Sequence, residues 1–284
     1  MNWINDLLNI ITRETFFEYP YAEFALVYLP LILLNLLIIY IAYRRSTQVK
    51  LFRSESRALL GTLICNCLQT ILLFFDMLYE IVTNDHTHTL GLIVVQPIII
   101  AWFFFYLGRY SKSMINLSER VKKALLLIPL IMFGWSIILT LTWYLRIPDI
   151  DALSWNNSLG RSSIIFNILM ISLIIGAALI DLFRISSSLK KLRLGLIILS
   201  CVSFLTTGVF LVLWDVFMSS ASTIFLGHIM FVIAYWPNIL VAITLYWSFF
   251  VPVKLQEWAG VLPPSFKLLK EKQIQQITSK TGTL

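Results

Sequence analysis

The chain has 284 residues, of which 58% are hydrophobic and 13% are charged, and its mean hydropathy is +0.83. Soluble domains carry about 25% charged residues, so this composition excludes an ordinary soluble protein and indicates a polytopic membrane protein. The length suffices for one helical bundle with short connections. The three cysteines, Cys65, Cys67 and Cys201, all fall inside hydrophobic runs and therefore indicate no disulfide framework.

The formal net charge of +7 is distributed unevenly along the chain. Nineteen of the 22 lysines and arginines lie in residues 44–57, 108–123, 184–193 and the tail after residue 250, and with five acids they give that side of the predicted bundle a net charge of +14. The other three bases and ten acids give the alternate side −7. By the positive-inside rule the basic side is cytoplasmic, and we expect its bases to meet anionic lipid, not nucleic acid.

Residues 1–23 come first, with hydrophobic side chains at helical spacing and charged residues among them. A signal peptide needs a basic start and a longer apolar core, which this segment lacks. We predict an outer amphipathic helix that lies on the membrane interface and ends before Pro20.

Seven hydrophobic runs follow, and we interpret each as a membrane-spanning helix. The clearest begins at residue 90 and continues for about twenty residues until Gly108, Arg109 and Tyr110; at about 1.5 Å per residue it spans roughly the 30 Å of a bilayer's hydrocarbon core. The predicted spans are 24–43, 58–82, 90–107, 124–144, 163–183, 194–217 and 223–250. We therefore predict an all-α protein: a seven-transmembrane helix bundle over 24–250 in the plasma membrane, with the N-terminus outside and the C-terminus cytoplasmic.

Residues 251–284 form a lysine-containing cytoplasmic tail in this prediction. Trp258 is placed to anchor it at the membrane interface, and Pro263-Pro264 can start a short helix.

Polar side chains inside a membrane are costly, so each is a functional hypothesis. In the second span Gln69, Asp76 and Glu80 are seven and then four residues apart, which places them on one helix face. Counted from residue 57, Asp76 stands about 28 Å along the helix and therefore near the outer surface. Asp215 ends the sixth span outside, and His228 lies just inside the seventh. We interpret these five residues as the lining of an outer ligand chamber, with wetted interfacial acids and a structurally bonded histidine as the alternative. A histidine beside a carboxylate can also sense protons near neutral pH.

The third span carries five consecutive aromatic residues at 102–106. Because consecutive residues point all round a helix, most must face lipid or neighbouring helices. We assign Trp102 and Tyr106 to the wall of the ligand chamber, and core packing is the alternative for the whole run.

A second polar set lies deeper in the predicted membrane. It consists of Asn35 in the first span, Asn66 in the second and Trp236-Pro237-Asn238 in the seventh. Pro237 removes a backbone donor and is expected to kink its helix. Asparagines that bond between helices stabilise such bundles by about 0.6 to 2 kcal/mol per bond. One interpretation is that these residues only stabilise the bundle. The other is that the seventh helix hinges at Pro237 and transmits a conformational change from the outer side to the cytoplasmic side.

Several kinds of chemistry lack the residues they need. No lysine or arginine lies within a predicted span, which excludes the Schiff base of a retinal-bearing rhodopsin. The histidines are only His86, His88 and His228, too few for the intramembrane zinc hydrolases of seven helices. No nucleophile–base pair or phosphate-binding glycine loop is visible. We predict no enzyme activity, no cofactor and no metal.

Four stretches carry a resemblance to a known family: RSESRALL at 53–60, AWFFFYLGRY at 101–110, FRISSSLKKLRLG at 183–195 and LYWSFFVPVKLQEW at 245–258. With the seven-span plan, they resemble the seven-helix N-terminal sensor region of prokaryotic histidine kinases and related signalling proteins. In those sensors a comparable aromatic–Pro–basic–Trp stretch leads out to a cytoplasmic signalling module. The kinase or other output domain is absent from this sequence, so the resemblance implies signalling through a separate protein.

Animal-type receptors offer a fainter likeness at the exit of the third span. Gly108-Arg109-Tyr110 resembles their acidic-Arg-Tyr switch without its acid, which marks Arg109 as a candidate coupling residue.

The leading hypothesis is a receptor-like sensor that detects a small molecule, a lipid or a proton and signals to a cytoplasmic partner. A small-solute or ion transporter using Asp76 and His228 is the first alternative, and a structural membrane protein without a ligand is the second. A transport path for cations should keep charged residues near mid-depth, and here the deep polar residues are uncharged, which favours the sensor.

Overall fold

A computed structural model describes residues 21–48, 53–83, 90–144, 152–218 and 224–261. Within these ranges the regular structure is entirely helical, which confirms the all-α prediction. The helices are α1 (Tyr21–Gln48), α2 (Arg53–Thr83), α3 (Leu90–Met114), α4 (Glu119–Tyr144), α5 (Ala152–Arg184), α6 (Ser188–Met218), α7 (Ile224–Phe249) and the short α8 (Val253–Trp258). Residues 1–20, with the predicted amphipathic helix, and 262–284, with most of the predicted tail, lie outside the described ranges.

Helices long and apolar enough to cross a membrane number five in the described part of the chain. The stretches are Tyr28–Thr47, Ser54–Phe75, Glu119–Ile138, Ile165–Arg184 and Ser188–Phe210. They indicate a multi-pass membrane protein. Most of the long helices extend beyond the predicted spans, because basic residues at their ends continue the helix into the interface instead of ending it.

The surface of the bundle is apolar where a soluble protein would be polar. On α1, large side chains such as Leu33 and Leu37 are more than half exposed, and Ile165 on α5 is 66% exposed. The interior, in contrast, holds amides and hydroxyls, among them Asn66, Thr62 and Ser200. Apolar side chains outside and small polar ones between helices are what a hydrocarbon solvent favours.

The helices pack mainly as neighbours in chain order, and α7 closes the arrangement. α6 and α7 share the most extensive contact, and α7 also packs against α1 and α2. α3 lies against α2, α4 and α5. Half of the α2 membrane stretch is buried, against 22% of the α1 stretch, so α2 lies near the centre and α1 at the periphery.

Two glycines permit close helix packing. A Cβ at Gly61 on α2 would lie 2.5 Å from the Tyr106 ring on α3, and a Cβ at Gly108 on α3 would lie 2.5 Å from the backbone oxygen of Leu125 on α4. Four long helices contain an internal proline, at Pro30, Pro97, Pro129 and Pro237. Such breaks are tolerated in membrane helices because neighbouring groups satisfy the freed carbonyls.

One end of the bundle carries most of the basic residues, and we call it the basic end. It comprises the C-terminal ends of α1, α3, α5 and α7, the N-terminal ends of α2, α4 and α6, and α8. α8 follows Pro252 and ends at Trp258, and two residues later Gly260 has a φ of 67°, the left-handed value that glycine adopts most easily. Trp258 on α8 is 86% exposed.

Candidate functional site

A buried asparagine on α2 joins three helices. Asn66 is fully buried, and its Nδ2 donates both to Oδ1 of Asn35 on α1, at 3.1 Å, and to the backbone oxygen of Asn238 on α7, at 3.2 Å. The Nδ2 of Asn35 donates in turn to the backbone oxygen of Leu31, at 2.9 Å. The structure therefore brings together the deep polar residues that lie about 30 and 170 positions apart in sequence, and α2 is the element that bridges them.

A threonine on α6 extends this cluster to a fourth helix. Thr207 is buried, and its hydroxyl lies 3.3 Å from Oδ1 of Asn238, to which it donates. The same hydroxyl lies 3.5 Å from the backbone oxygen of Ser203 in its own helix. The asparagine cluster, as we call Asn35, Asn66, Thr207 and Asn238, thus connects α1, α2, α6 and α7. Thr207 was not predictable from the sequence, because a threonine in an apolar run most often bonds its own helix, as the adjacent Thr206 does to Val202.

Two polar atoms beside the cluster lack a hydrogen-bond partner in the described structure. They are Oδ1 of Asn66, an acceptor, and Nε2 of Gln69, a donor. The two residues are three positions apart on α2, so their side chains share a face. A buried polar group without a partner costs about 1 to 3 kcal/mol, and a water molecule between a donor and an acceptor removes that cost. The cluster therefore has room in its hydrogen bonding for one further small polar group.

Next to the cluster, α7 has fewer hydrogen bonds within its own backbone. Pro237 cannot donate to the backbone oxygen of Ile233, and the next residue, Asn238, shares its backbone oxygen with the Asn66 side chain. Both changes remove or dilute hydrogen bonds inside α7. Pro237 and Asn238 are buried, whereas Trp236 is 46% exposed and points away from the cluster. Of the predicted coupling residues on α7, Asn238 belongs to the cluster, Pro237 is buried next to it, and Trp236 is exposed.

The aromatic run of α3 divides between core and surface. Phe103 and Phe104 are buried, and both contact Phe204 of α6, with ring centroids 5.1 and 5.4 Å apart. Trp102 is 39% exposed and lies edge-on to Phe133 of α4 at 5.6 Å. Tyr106 packs over Gly61. The rings of Trp102 and Tyr106, the two residues assigned to the chamber wall, contact each other with centroids 6.0 Å apart; Trp102 also contacts α4, and Tyr106 contacts α2.

Arg109, the third-span coupling candidate, is exposed at the basic end. Its guanidinium lies 5.9 Å from the centroid of the Phe105 ring one turn earlier. It is separate from the asparagine cluster. The neighbouring Tyr110, which the sequence analysis did not select, is buried, and its hydroxyl lies 2.6 Å from that of Ser248 on α7.

Other contacts tie the helices together at the basic end. The guanidinium of Arg45 on α1 lies 5.8 Å from the ring centroids of both Tyr246 and Phe250. Asp181 on α5 is buried, accepts a 2.7 Å hydrogen bond from the backbone N–H of Asn116, and lies 3.6 Å from the ammonium of Lys190. The sequence pattern that could have indicated this contact is a single acid, Asp181, just before the basic segment 184–193.

Most of the remaining residues of the predicted outer chamber have side chains outside the described part of the structure. Asp76, Glu80, Asp215 and His228 belong to described helices, but their side chains lie outside the part of the structure that is described. Only Gln69 of the five is placed, and it is buried beside Asn66. The chamber remains a prediction. Within the described ranges, no three His, Cys, Asp or Glu residues come together in a way that could hold a metal ion.

No family model, curated protein or solved structure matches this chain.

Proposed function

We propose that this protein is a receptor-like sensor in the plasma membrane. In this proposal all seven long helices span the bilayer, the basic end is cytoplasmic, and a small molecule, lipid or proton is detected in the opposite half. α7 carries the event to the basic end, where a separate cytoplasmic protein receives it. The resemblance to the sensor regions of prokaryotic histidine kinases points the same way.

The observation that carries the proposal is the double hydrogen bond of Asn66. One side-chain amide joins α1 to the backbone of α7 next to Pro237, where α7 lacks an internal hydrogen bond. A helix with a missing bond bends at that point at low cost. Because the bending point is bonded to neighbouring helices, a shift of α1, α2 or α6 changes the direction of α7 beyond it.

The character of the buried polar groups supports a sensor over a transporter. Among the buried side chains that the structure describes, Asp181 is the only charged one, and it lies at the basic end. The asparagine cluster consists of amides and a hydroxyl, which can hold helices in either of two arrangements. Ion and proton pathways use ionisable groups inside the membrane.

Reconstitution into liposomes separates the two functions. The wild-type protein and the Asp76→Asn variant are compared for flux of protons, sodium, potassium and small solutes, with protein-free liposomes as the baseline. A sensor gives baseline flux in both. Flux in the wild type that collapses in Asp76→Asn would show a transporter and overturn the proposal.

The proposed orientation has its own test. An epitope tag at the C-terminus should react with antibody only after the cells are permeabilised. A tag that is reactive on intact cells would reverse the bundle and place the basic end outside.

A further inference from the structure

A cavity lies at the basic end, separate from the asparagine cluster. Its volume is about 340 Å³, and it is lined by Glu55, Ser113, Met114, Lys190, Arg193, Phe249 and Phe250. These residues come from the N-terminal ends of α2 and α6, the C-terminal end of α3 and the segment at the end of α7. Four parts of the bundle thus meet around it. Cavities of about 300 to 1,000 Å³ accept small molecules.

One residue of the lining, Arg193, has a donor without an acceptor. The Nε of Arg193 is inaccessible to solvent and has no hydrogen-bond partner in the described structure. Arginine carries five N–H donors in a planar fork that matches phosphate oxygens. Because the side chain of Arg193 lines the cavity, its guanidinium offers charged donors to an anion bound there.

The start of α6 adds further positive potential. Lys190 and Arg193 lie in its first two turns, and its first turn contains no acid. The N-terminus of a helix carries a partial positive charge that attracts anions. Lys190 lies 3.6 Å from Asp181, which engages one side of the ammonium and leaves its other donors for the cavity.

The rest of the lining narrows the class of anion. Glu55 is an acid on the same wall, so the lining side chains carry two positive charges and one negative charge. A multiply charged anion would meet repulsion from Glu55, whereas a singly charged phosphate that also bears an amine would pair with both signs. Phe249, Phe250 and Met114 provide apolar surface for the attached carbon atoms.

We propose that this cavity binds a phosphate group linked to a primary amine, with the phosphate on Lys190 and Arg193 and the amine on Glu55. A phosphoethanolamine diester has this chemistry, either as a lipid headgroup or as the soluble glycerophosphoethanolamine. The position at the end of membrane-spanning helices, where headgroups lie, makes the lipid accessible to the site.

Binding is measured by calorimetry on the purified full chain in detergent. The probes are dihexanoyl phosphatidylethanolamine, dihexanoyl phosphatidylcholine and glycerophosphoethanolamine, all of which are diesters with a singly charged phosphate. Saturable binding of an ethanolamine probe, tighter than that of the choline lipid, is expected, because a quaternary amine has no N–H to donate to Glu55. If glycerophosphoethanolamine binds as tightly as the ethanolamine lipid, the ligand is a soluble compound. If the lipid binds more tightly, the ligand is a membrane lipid.

Matched variants locate the site. Arg193→Gln should weaken ethanolamine binding about tenfold to a hundredfold, the loss expected for a charge-assisted hydrogen bond. Lys191→Gln is the control, because Lys191 is the exposed neighbour outside the lining. Arg193→Lys keeps the charge without the fork and should give an intermediate loss. Glu55→Gln should remove the preference for ethanolamine over choline.

Three results would overturn the proposal. One is the absence of saturable ethanolamine binding by the wild type. Another is an equal loss in Lys191→Gln and Arg193→Gln, which would show diffuse electrostatic attraction. The third is saturable binding of an acidic peptide that neither ethanolamine probe displaces, which would make the cavity a protein-docking site.

Discussion

The hydroxyl of Tyr110 on α3 lies 2.6 Å from the hydroxyl of Ser248 on α7, and both residues are fully buried. Ser248 comes ten residues after Asn238, which corresponds to about 15 Å along α7. α7 is therefore held at two levels, by Asn66 and Thr207 next to its proline and by Tyr110 near the basic end. The segment between them is the one that a bend at Pro237 would swing.

Removing the Tyr110 hydroxyl should weaken the lower of these two attachments. Tyr110→Phe keeps the ring, and Ser248 retains its 2.7 Å bond to the backbone oxygen of Leu245, so the expected loss is about 0.6 to 1 kcal/mol of unfolding free energy. Thermal or denaturant unfolding in mixed micelles measures it. Ser113→Ala is the control, because that exposed hydroxyl bonds within its own helix, to Tyr110. Equal stability of Tyr110→Phe and the wild type would contradict the attachment.

Truncating the central amide of the asparagine cluster should cost more. Asn66→Ala removes two bonds between helices and should lower the unfolding free energy by about 1 to 2 kcal/mol. A double-mutant cycle with Asn35→Ala isolates the pair between α1 and α2, with an expected coupling of about 0.5 to 1 kcal/mol. Asn167→Ala on α5 provides the comparison, since its Oδ1 has no partner within the described structure. Additive losses in the cycle would show that Asn35 and Asn66 do not interact.

Two adjacent threonines on α6 offer a closely matched pair. Thr207→Val removes the 3.3 Å bond to Asn238 at nearly constant side-chain volume and should lower the unfolding free energy by about 0.5 kcal/mol. Thr206→Val should change it little, because Thr206 bonds to its own helix at Val202. The same unfolding assay measures both variants. A larger loss of unfolding free energy in Thr206→Val than in Thr207→Val would contradict the hydrogen bond between Thr207 and Asn238.

Close packing of α3 against α4 predicts a strong effect at one glycine. Gly108→Ala would place a Cβ 2.5 Å from the backbone oxygen of Leu125, which can yield only if a helix moves, so a loss of about 1 to 3 kcal/mol is expected. Gly195→Ala meets open space and should be neutral or slightly stabilising, because alanine favours the helix. Unfolding midpoints of the two variants in the same detergent decide the matter. A tolerated Gly108→Ala would mean that α3 and α4 are farther apart.

Hydrophobic run length and charge placement were sufficient to predict the all-α class and the order of the long helices. The ends were harder, because a residue such as Lys190 can continue a helix while its charge reaches water, and α6 accordingly begins six residues before the predicted span. Helix ends depend on local capping and on the interface, which hydropathy does not report.

Within the candidate site, the rarity of amides in apolar runs drew attention to Asn35, Asn66 and Asn238, which the structure brings into one cluster. Thr207 and Tyr110 could not be selected in this way. Their role depends on which face each helix turns toward α7, and the weak amphipathicity of helices that meet both lipid and protein does not reveal that face. The exposure of Trp236 has the same cause.

The central claim is that the asparagine cluster controls the position of the basic end of α7. Pulsed electron–electron double resonance in nanodiscs tests this claim. It measures the distance between nitroxide labels at positions 123 on α4 and 254 on α8, which are both exposed. The native cysteines are buried, so the reagent labels the introduced ones first.

We expect the distance distribution between the two labels to shift or gain a second maximum in Asn66→Ala and in Pro237→Ala, and to match the wild type in Asn167→Ala. Identical distributions in all four proteins would contradict the claim and leave the cluster as structural glue alone.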